Sequence, residues 1–228
     1  MENNSYRHEF KYLVDEKQLV VLESRIKGIM SLDEHANEGT YNIRSMYFDD
    51  YDNSCFYANE DGLNEREKYR IRIYNSSNEK ISLECKRKVN GMTQKLSCPL
   101  STEQYYELVN GKPSKLCFEA NELIASLAEK IISVRMKPAI IVDYNRKPFV
   151  YKSGNVRITF DRYISSSTCF DRFFDKDMSK RPVMPNEYQL LEVKYDDYLP
   201  SYLYECLQID NLNQTTYSKY YYCRKISL

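Results

Sequence analysis

Tryptophan is absent from this 228-residue chain, and histidine occurs only at His8 and His35. Two histidines make imidazole catalysis improbable, and no H-E-x-x-H, nucleophile elbow, Gly-rich P-loop or dinucleotide fingerprint is present. No segment approaches the ~20 apolar residues of a membrane span, and Met1 to Phe10 is polar where a secretion signal needs an apolar stretch. Net charge is lacking too: 33 basic and 33 acidic residues cancel. No long-range field therefore draws the whole molecule to nucleic acid or to an anionic membrane, and any anion site must be local. Cys55, Cys85, Cys98, Cys117, Cys169, Cys206 and Cys223 are odd in number and form no C-x-x-C pair. They read as reduced thiols, which predicts a cytoplasmic protein. No linker, repeat or low-complexity tract divides the chain, so one domain over 1–228 is expected.

What is present is tyrosine, 22 of them, a residue suited to strands with one apolar and one wet face. The dominant pattern is alternation of charged and apolar residues, which sends them to opposite faces of a strand. Arg7, Glu9 and Lys11 share a face in the first such stretch, opposite His8, Phe10 and Tyr12. Ser45, Tyr47 and Asp49 oppose Arg44, Met46 and Phe48 in a second strand over 41–49. Lys68, Arg70 and Arg72 oppose Tyr69, Ile71 and Ile73; after a turn at Asn75 to Asn78, Glu84, Lys86 and Lys88 oppose Ile81, Leu83 and Cys85. These two read as a hairpin, and a turn at Asn90-Gly91 brings Lys95 onto a third neighbouring strand. Further strands are predicted over 139–146, over 156–161, with Arg157, Thr159 and Asp161 on one face, and over 188–195, with Glu192 and Lys194 together.

Helices interrupt the strands. Leu19, Leu22, Ile26 and Ile29 form a core-facing stripe behind the N-cap candidate Asp15. Ser101 and Gln104 make a capping box, Leu123, Leu127 and Ile131 repeat at helical spacing within 119–134, and a helix is expected after Pro200.

One polar sheet face is ordinary, because antiparallel sheets often show one face to water. Here Arg and Lys recur two residues apart on several strands, with isolated Glu residues among them. Strands with one charged and one apolar face can close into a barrel with a charged lumen. Crowded cations repel one another and lose hydration, so such a lumen calls for a polyanion. Arg offers forked donors to phosphate oxygens, Lys a compact point charge. Glu suggests a divalent metal sharing phosphate oxygens. The alternative for Glu192 and Lys194 is an ordinary structural ion pair.

Taken in order, R-x-E-x-K-Y at Arg7 to Tyr12, R-S-x-Y-F-D at Arg44 to Asp49, K-x-R-x-R-x-Y at Lys68 to Tyr74, L-E-x-K at Leu83 to Lys86, Y-x-R at Tyr144 to Arg146, V-R-I-T-F-D at Val156 to Asp161, L-E-V-K-Y at Leu191 to Tyr195 and S-K-Y at Ser218 to Tyr220 form a recognisable series. In this order they resemble the VTC domain, the polyphosphate polymerase domain of the vacuolar transporter chaperone family, within the triphosphate tunnel metalloenzymes. The resemblance spans residue 6 to about 222, and its specificity lies in the order of the motifs.

It implies an α+β fold, a closed antiparallel β-barrel tunnel of about eight strands with flanking helices, binding ATP and inorganic polyphosphate with Mn²⁺ or Mg²⁺. Carried over by motif, Arg70, Arg72, Lys86, Arg146 and Arg157 act on the transferred phosphate, and Lys11, Lys95, Lys194 and Lys219 bind the chain. Glu192 holds the metal, with Glu9 and Glu84 as further candidates placed by strand parity as much as by resemblance. A stand-alone, bacterial-type form is implied, without the sensing domain or membrane anchor of the eukaryotic complexes. A triphosphate or polyphosphate hydrolase of the same fold, a non-catalytic polyphosphate-binding module and an oligonucleotide-binding barrel are the alternatives.

Overall fold

The computed structural model describes residues 7–36, 39–89 and 92–228; the expected turn at Asn90-Gly91 lies outside them. In chain order the elements are β1 (His8–Asp15), α1 (Glu16–Lys27), β2 (Ser31–Leu32), β3 (Tyr41–Asp49), α2 (Ser54–Glu60), β4 (Arg66–Tyr74), β5 (Ile81–Val89), β6 (Met92–Leu100), α3 (Thr102–Val109) and α4 (Glu122–Ser133). β7 (Lys137–Tyr151), β8 (Val156–Ser167), β9 (Arg181–Pro182), β10 (Tyr188–Tyr195), α5 (Ser201–Cys206) and α6 (Lys219–Lys225) follow. The fold is α+β, as expected.

Eight strands form one antiparallel path in the order β1-β10-β8-β7-β3-β4-β5-β6, with β2 added to β7 and β9 to β8. This path is open: among the described residues β1 and β6 end it without pairing to each other. The outer edge of β1 is instead occupied by the C-terminal segment, where Tyr12 bridges Gln214 and the Thr215 amide donates to the Lys11 carbonyl at 2.8 Å. The backbone barrel closure implied by the resemblance is therefore not made. The sheet nevertheless curls far enough for Lys86 of β5 to reach Glu9 of β1 at 2.7 Å.

Strand alternation produces the layers. On the convex side Met46, Phe48, Ile71 and Leu83 pack with Tyr105, Leu108, Ile124 and Leu127 of α3 and α4. A second convex core joins Ile158, Phe160, Leu191 and Val193 to Leu19, Leu22 and Ile26 of α1 and Leu203 of α5. Each such fully buried Leu or Ile contributes roughly 1.5–3 kcal/mol relative to exposure. A third cluster lies on the concave side, where Tyr217, Tyr220 and Cys223 cover Ile43, Ile140, Val142 and Leu190. The C-terminal helix thus fills one part of the concave face and leaves the rest charged.

Local signals explain the boundaries. Asp15 and Gln18 close a reciprocal capping box at the start of α1, and Ser101 with Gln104 does so for α3. α1 ends before Ile29, which is exposed, and Met30 takes its expected place in the core. α4 starts at Glu122 rather than 119 because the Asn121 side chain caps the amides of Leu123 and Ile124. Cys55, Cys85, Cys117, Cys169, Cys206 and Cys223 are free thiols. No helix among the described residues is long and apolar enough to cross a membrane.

Candidate active site

The charged part of the concave face is built from β1, β4, β5, β6, β7, β8, β10 and the start of α6. Four carboxylates organise it: Glu9, Glu84, Asp161 and Glu192, all part-buried or buried.

Glu84 stands opposite Arg70 in register. Its Oε2 accepts from Arg70 Nε at 2.7 Å and lies 3.6 Å from Arg72 Nη1, while Oε1 pairs with Lys95 of β6 at 2.8 Å. Tyr47 and Ser45 of β3 hold the other sides of the arginines, through Arg70 to the Tyr47 hydroxyl at 2.7 Å and Arg72 to the Ser45 hydroxyl at 3.2 Å. Both guanidiniums are thus fixed by neighbours on two strands.

Glu192 and Asp161 form the second centre. Glu192 accepts from Lys219 at 2.6 Å, Lys194 at 2.7 Å and Arg146 at 3.1 Å, with Lys11 at 3.9 Å. Asp161 receives Arg146 in a forked pair at 2.6 and 2.7 Å and Lys219 at 2.6 Å. The Glu192 to Lys194 ion pair foreseen as a bland alternative exists, as one arm of this larger network. Lys219 arrives because Ser218 caps α6 and aims its first turn into the sheet.

Glu9 links the two centres across the open side of the sheet. It lies 2.7 Å from Lys86 and 3.6 Å from both Lys11 and Lys194. Arg157 sits apart, paired with Asp33 at 2.8 Å and donating to the Tyr41 hydroxyl at 2.8 Å.

Burial and charge work against each other here. Burial alone would raise the Glu84 carboxyl, but Arg70, Arg72 and Lys95 hold it far below the usual range. Glu192 is likewise driven down against burial by Lys194, Lys219 and Arg146, and Glu9 by Lys194, Lys86 and Lys11. Lys219 is raised, because Asp161 and Glu192 outweigh its burial. Lys86 falls to about 8, since burial outweighs Glu9. Lys68, part-buried beside Arg66 and Lys86, falls to about 7 as lost hydration and its basic neighbours disfavour the charge. Basic groups outnumber the four carboxylates, so the face retains net positive charge.

A divalent cation fits part of this donor set. Glu9 and Glu192 approach the same two ammonium groups, Lys11 and Lys194, within 3.9 Å. Next to Glu192 in register stands Thr159, whose buried hydroxyl oxygen lacks a hydrogen-bond partner among the described residues. Among the described residues no group of three or more His, Cys, Asp and Glu gathers. A hard ion would therefore complete its shell with phosphate oxygens and water, as Mg²⁺ commonly does. Glu84 belongs to the other centre, where its contacts are arginine and lysine.

The structure brings together Lys11, Arg70, Arg72, Lys86, Lys95, Arg146, Lys194, Lys219, Glu9, Glu84 and Glu192, and places Arg157 at their margin. Asp161, Tyr47 and Lys68 share the site without having been singled out. Strand parity carried the signal for each, since Asp161 follows Arg157 and Thr159, and Lys68 precedes Arg70 and Arg72, at two-residue steps. Neither histidine joins it; His8 stacks on Tyr195 at 4.9 Å between ring centres.

The family model described as the VTC domain matches residues 6–228. A crystal structure described as a candidate adenylate cyclase from Bacillus halodurans is similar over 90% of this chain and 87% of its own, at 14% identity and a TM-score of 0.53. Another, described in the same way, from Vibrio parahaemolyticus covers 89% and 83% at 10% identity and a TM-score of 0.46. The first of these shares the triphosphate tunnel fold, and the likeness speaks to fold alone. No curated protein matches the chain.

Proposed function

Because the chain belongs to the VTC domain family, a family of tunnel enzymes that handle phosphate chains, we propose that it is a polyphosphate polymerase moving the γ-phosphate of ATP onto a growing inorganic polyphosphate chain. The observation that carries this reading is the convergence of Arg70, Arg72, Arg146 and at least five lysines on one concave face from strands far apart in sequence. Such a face matches a ligand carrying a negative charge on every repeat unit.

In this reading the acceptor is the terminal oxygen of the chain. It attacks the γ-phosphorus, the bond from that phosphorus to the β–γ bridging oxygen breaks, and ADP leaves with the electron pair. An anionic acceptor needs no proton removed, which suits a site without histidine. Catalysis is then positioning and charge neutralisation. Arg70 and Arg72, pre-aligned by Tyr47 and Ser45, present forked donors to the transferred group. Arg146 and Lys219, held by Asp161, face the chain beside Glu192. The lysines give up their carboxylate partners to phosphate oxygens.

Glu192 and Glu9 would hold Mn²⁺ or Mg²⁺, which when bound would neutralise charge developing on the phosphates. The physiological setting in this reading is the cytoplasm, where ATP and the metal are available.

Purified protein incubated with ATP and Mn²⁺, with products run on a polyphosphate-staining gel and free phosphate assayed in parallel, tests the proposal. Polymer with little free phosphate is expected. Free phosphate without polymer would replace it with a hydrolase of the same fold, and cyclic AMP with the activity named for the fold neighbours.

A further inference from the structure

Lys68 differs from the other lysines of the tunnel. Lys11, Lys86, Lys95, Lys194 and Lys219 each have a carboxylate within 4 Å. Lys68 has none among the described residues. Its ammonium donates to the Asn59 side-chain oxygen of α2 at 2.5 Å and lies 4.9 Å from the centre of the Tyr220 ring of α6. Both partners are neutral.

Its place in the sheet is defined. Lys68 stands opposite Lys86, which stands opposite Lys95, so one rung across three strands carries three lysines. Glu9 and Glu84 offset the second and third. Beyond Lys68 the concave face meets the helical wall of α2 and α6, where the buried Tyr220 hydroxyl donates to Asp49 and its ring packs 5.1 Å from Tyr47. A phosphate chain lying along Arg72 and Arg70 would reach Lys68 next, two residues on along the same face of β4.

An inner phosphate of a linear chain carries one charge, whereas a terminal phosphate carries up to two, its second pKa being near 6 as in phosphomonoesters. An uncompensated ammonium gains most from the more highly charged group. Resting on the reading that this tunnel binds phosphate chains, we infer that Lys68 is a further phosphate ligand and that it receives the terminal group of a linear chain. Asn59 and Tyr220 hold the amine in place without neutralising it. The lowered pKa of Lys68 agrees with a charge that lacks its counterpart until the ligand arrives.

The test compares linear tripolyphosphate with cyclic trimetaphosphate, which has three phosphates and no ends, by titration calorimetry in EDTA at pH 6.5. Wild-type protein and Lys68→Met are measured, with melting temperatures. Expected for the variant is a loss on the order of tenfold or more for tripolyphosphate. Trimetaphosphate should bind within about threefold of wild type, as its singly charged groups do not need this amine. Melting should be unchanged or raised, and Lys68→Arg should restore tripolyphosphate binding. Equal losses for both ligands, or none for tripolyphosphate, overturn the assignment to the chain end. A melting temperature lowered by several degrees together with equal losses assigns Lys68 instead to holding α2 and α6. Wild-type protein that binds neither ligand overturns the phosphate-tunnel reading itself.

Discussion

Glu84→Gln is the perturbation that tests the electrostatic design most directly. Glu84 is 4% exposed and its carboxylate contacts Arg70, Arg72 and Lys95. Glutamine keeps the shape and a carbonyl acceptor but removes the charge, leaving Arg70 and Arg72 to repel each other. Stranding one side of a buried ion pair costs roughly 3–5 kcal/mol. Lys95 is half exposed and Arg70 partly so, so water screens part of the loss and about 2–3 kcal/mol remains. For a domain of this size that lowers the melting temperature by roughly 4–12 °C. The sign follows from linkage: the folded-state pKa of Glu84 is depressed, so its contribution is present above the unfolded value near 4.3 and disappears as pH falls through the folded one. At pH 7 the variant therefore shows the full loss. Tripolyphosphate should offset it, because the ligand supplies the missing negative charge and no longer competes with Glu84. Thermal melts of wild type and variant, with and without ligand in EDTA, provide the measurement. A variant melting within 2 °C of wild type, or gaining no more from tripolyphosphate than wild type does, would refute the reasoning.

Other consequences can be checked separately. Glu192→Gln should remove metal-dependent turnover, read as loss of the Mn²⁺ dependence of phosphate transfer; an unchanged Mn²⁺ titration curve removes Glu192 from the metal. Gly154 has φ +72°, and a Cβ there would lie 2.4 Å from the Tyr198 carbonyl oxygen, whereas one at Gly62, with φ +67°, would meet nothing within 4 Å. Gly62→Ala should cost about 1–2 kcal/mol from backbone strain, Gly154→Ala clearly more in urea melts, and equal effects would show that the contact yields. With Lys68 near 7 and Lys86 near 8, the unliganded tunnel sheds protons that bound phosphate must restore. Tripolyphosphate affinity should therefore fall as pH rises from 7 to 9, with proton uptake on binding at pH 8, measured calorimetrically in buffers of different ionisation enthalpy.

Much of the fold was legible because alternation and capping are local. β10 spans the predicted 188–195 to the residue, and both capping boxes formed where Asp15/Gln18 and Ser101/Gln104 stand in the sequence. β7 and β8 ran longer than expected because their polar ends, including Lys147 and Ser165 to Ser167, interrupt the apolar count without interrupting the ladder. The concave role of α6 was not read, although Ile140, Ile141 and Val142 are consecutive and apolar, a pattern that calls for cover on both faces of a strand. For the site, parity fixed which charges share a face. It could not show that Glu9 meets Lys86 across 77 residues, because that depends on how the whole sheet curls. Nor could it separate Glu84 from Glu9 and Glu192, since the two centres share the same two-residue spacing.

The carboxylates of the tunnel have one more implication, for how binding responds to salt. They act as counterions fastened to the protein, occupying lysine and arginine positions that dissolved anions would otherwise screen. In the proposed reading a phosphate chain entering the tunnel would displace these tethered partners as well as free ions, and only the free ones are sensitive to ionic strength. Salt should thus weaken binding less than the number of basic side chains suggests. Grip on the chain would persist at ionic strengths that strip polyanions from an ordinary basic surface.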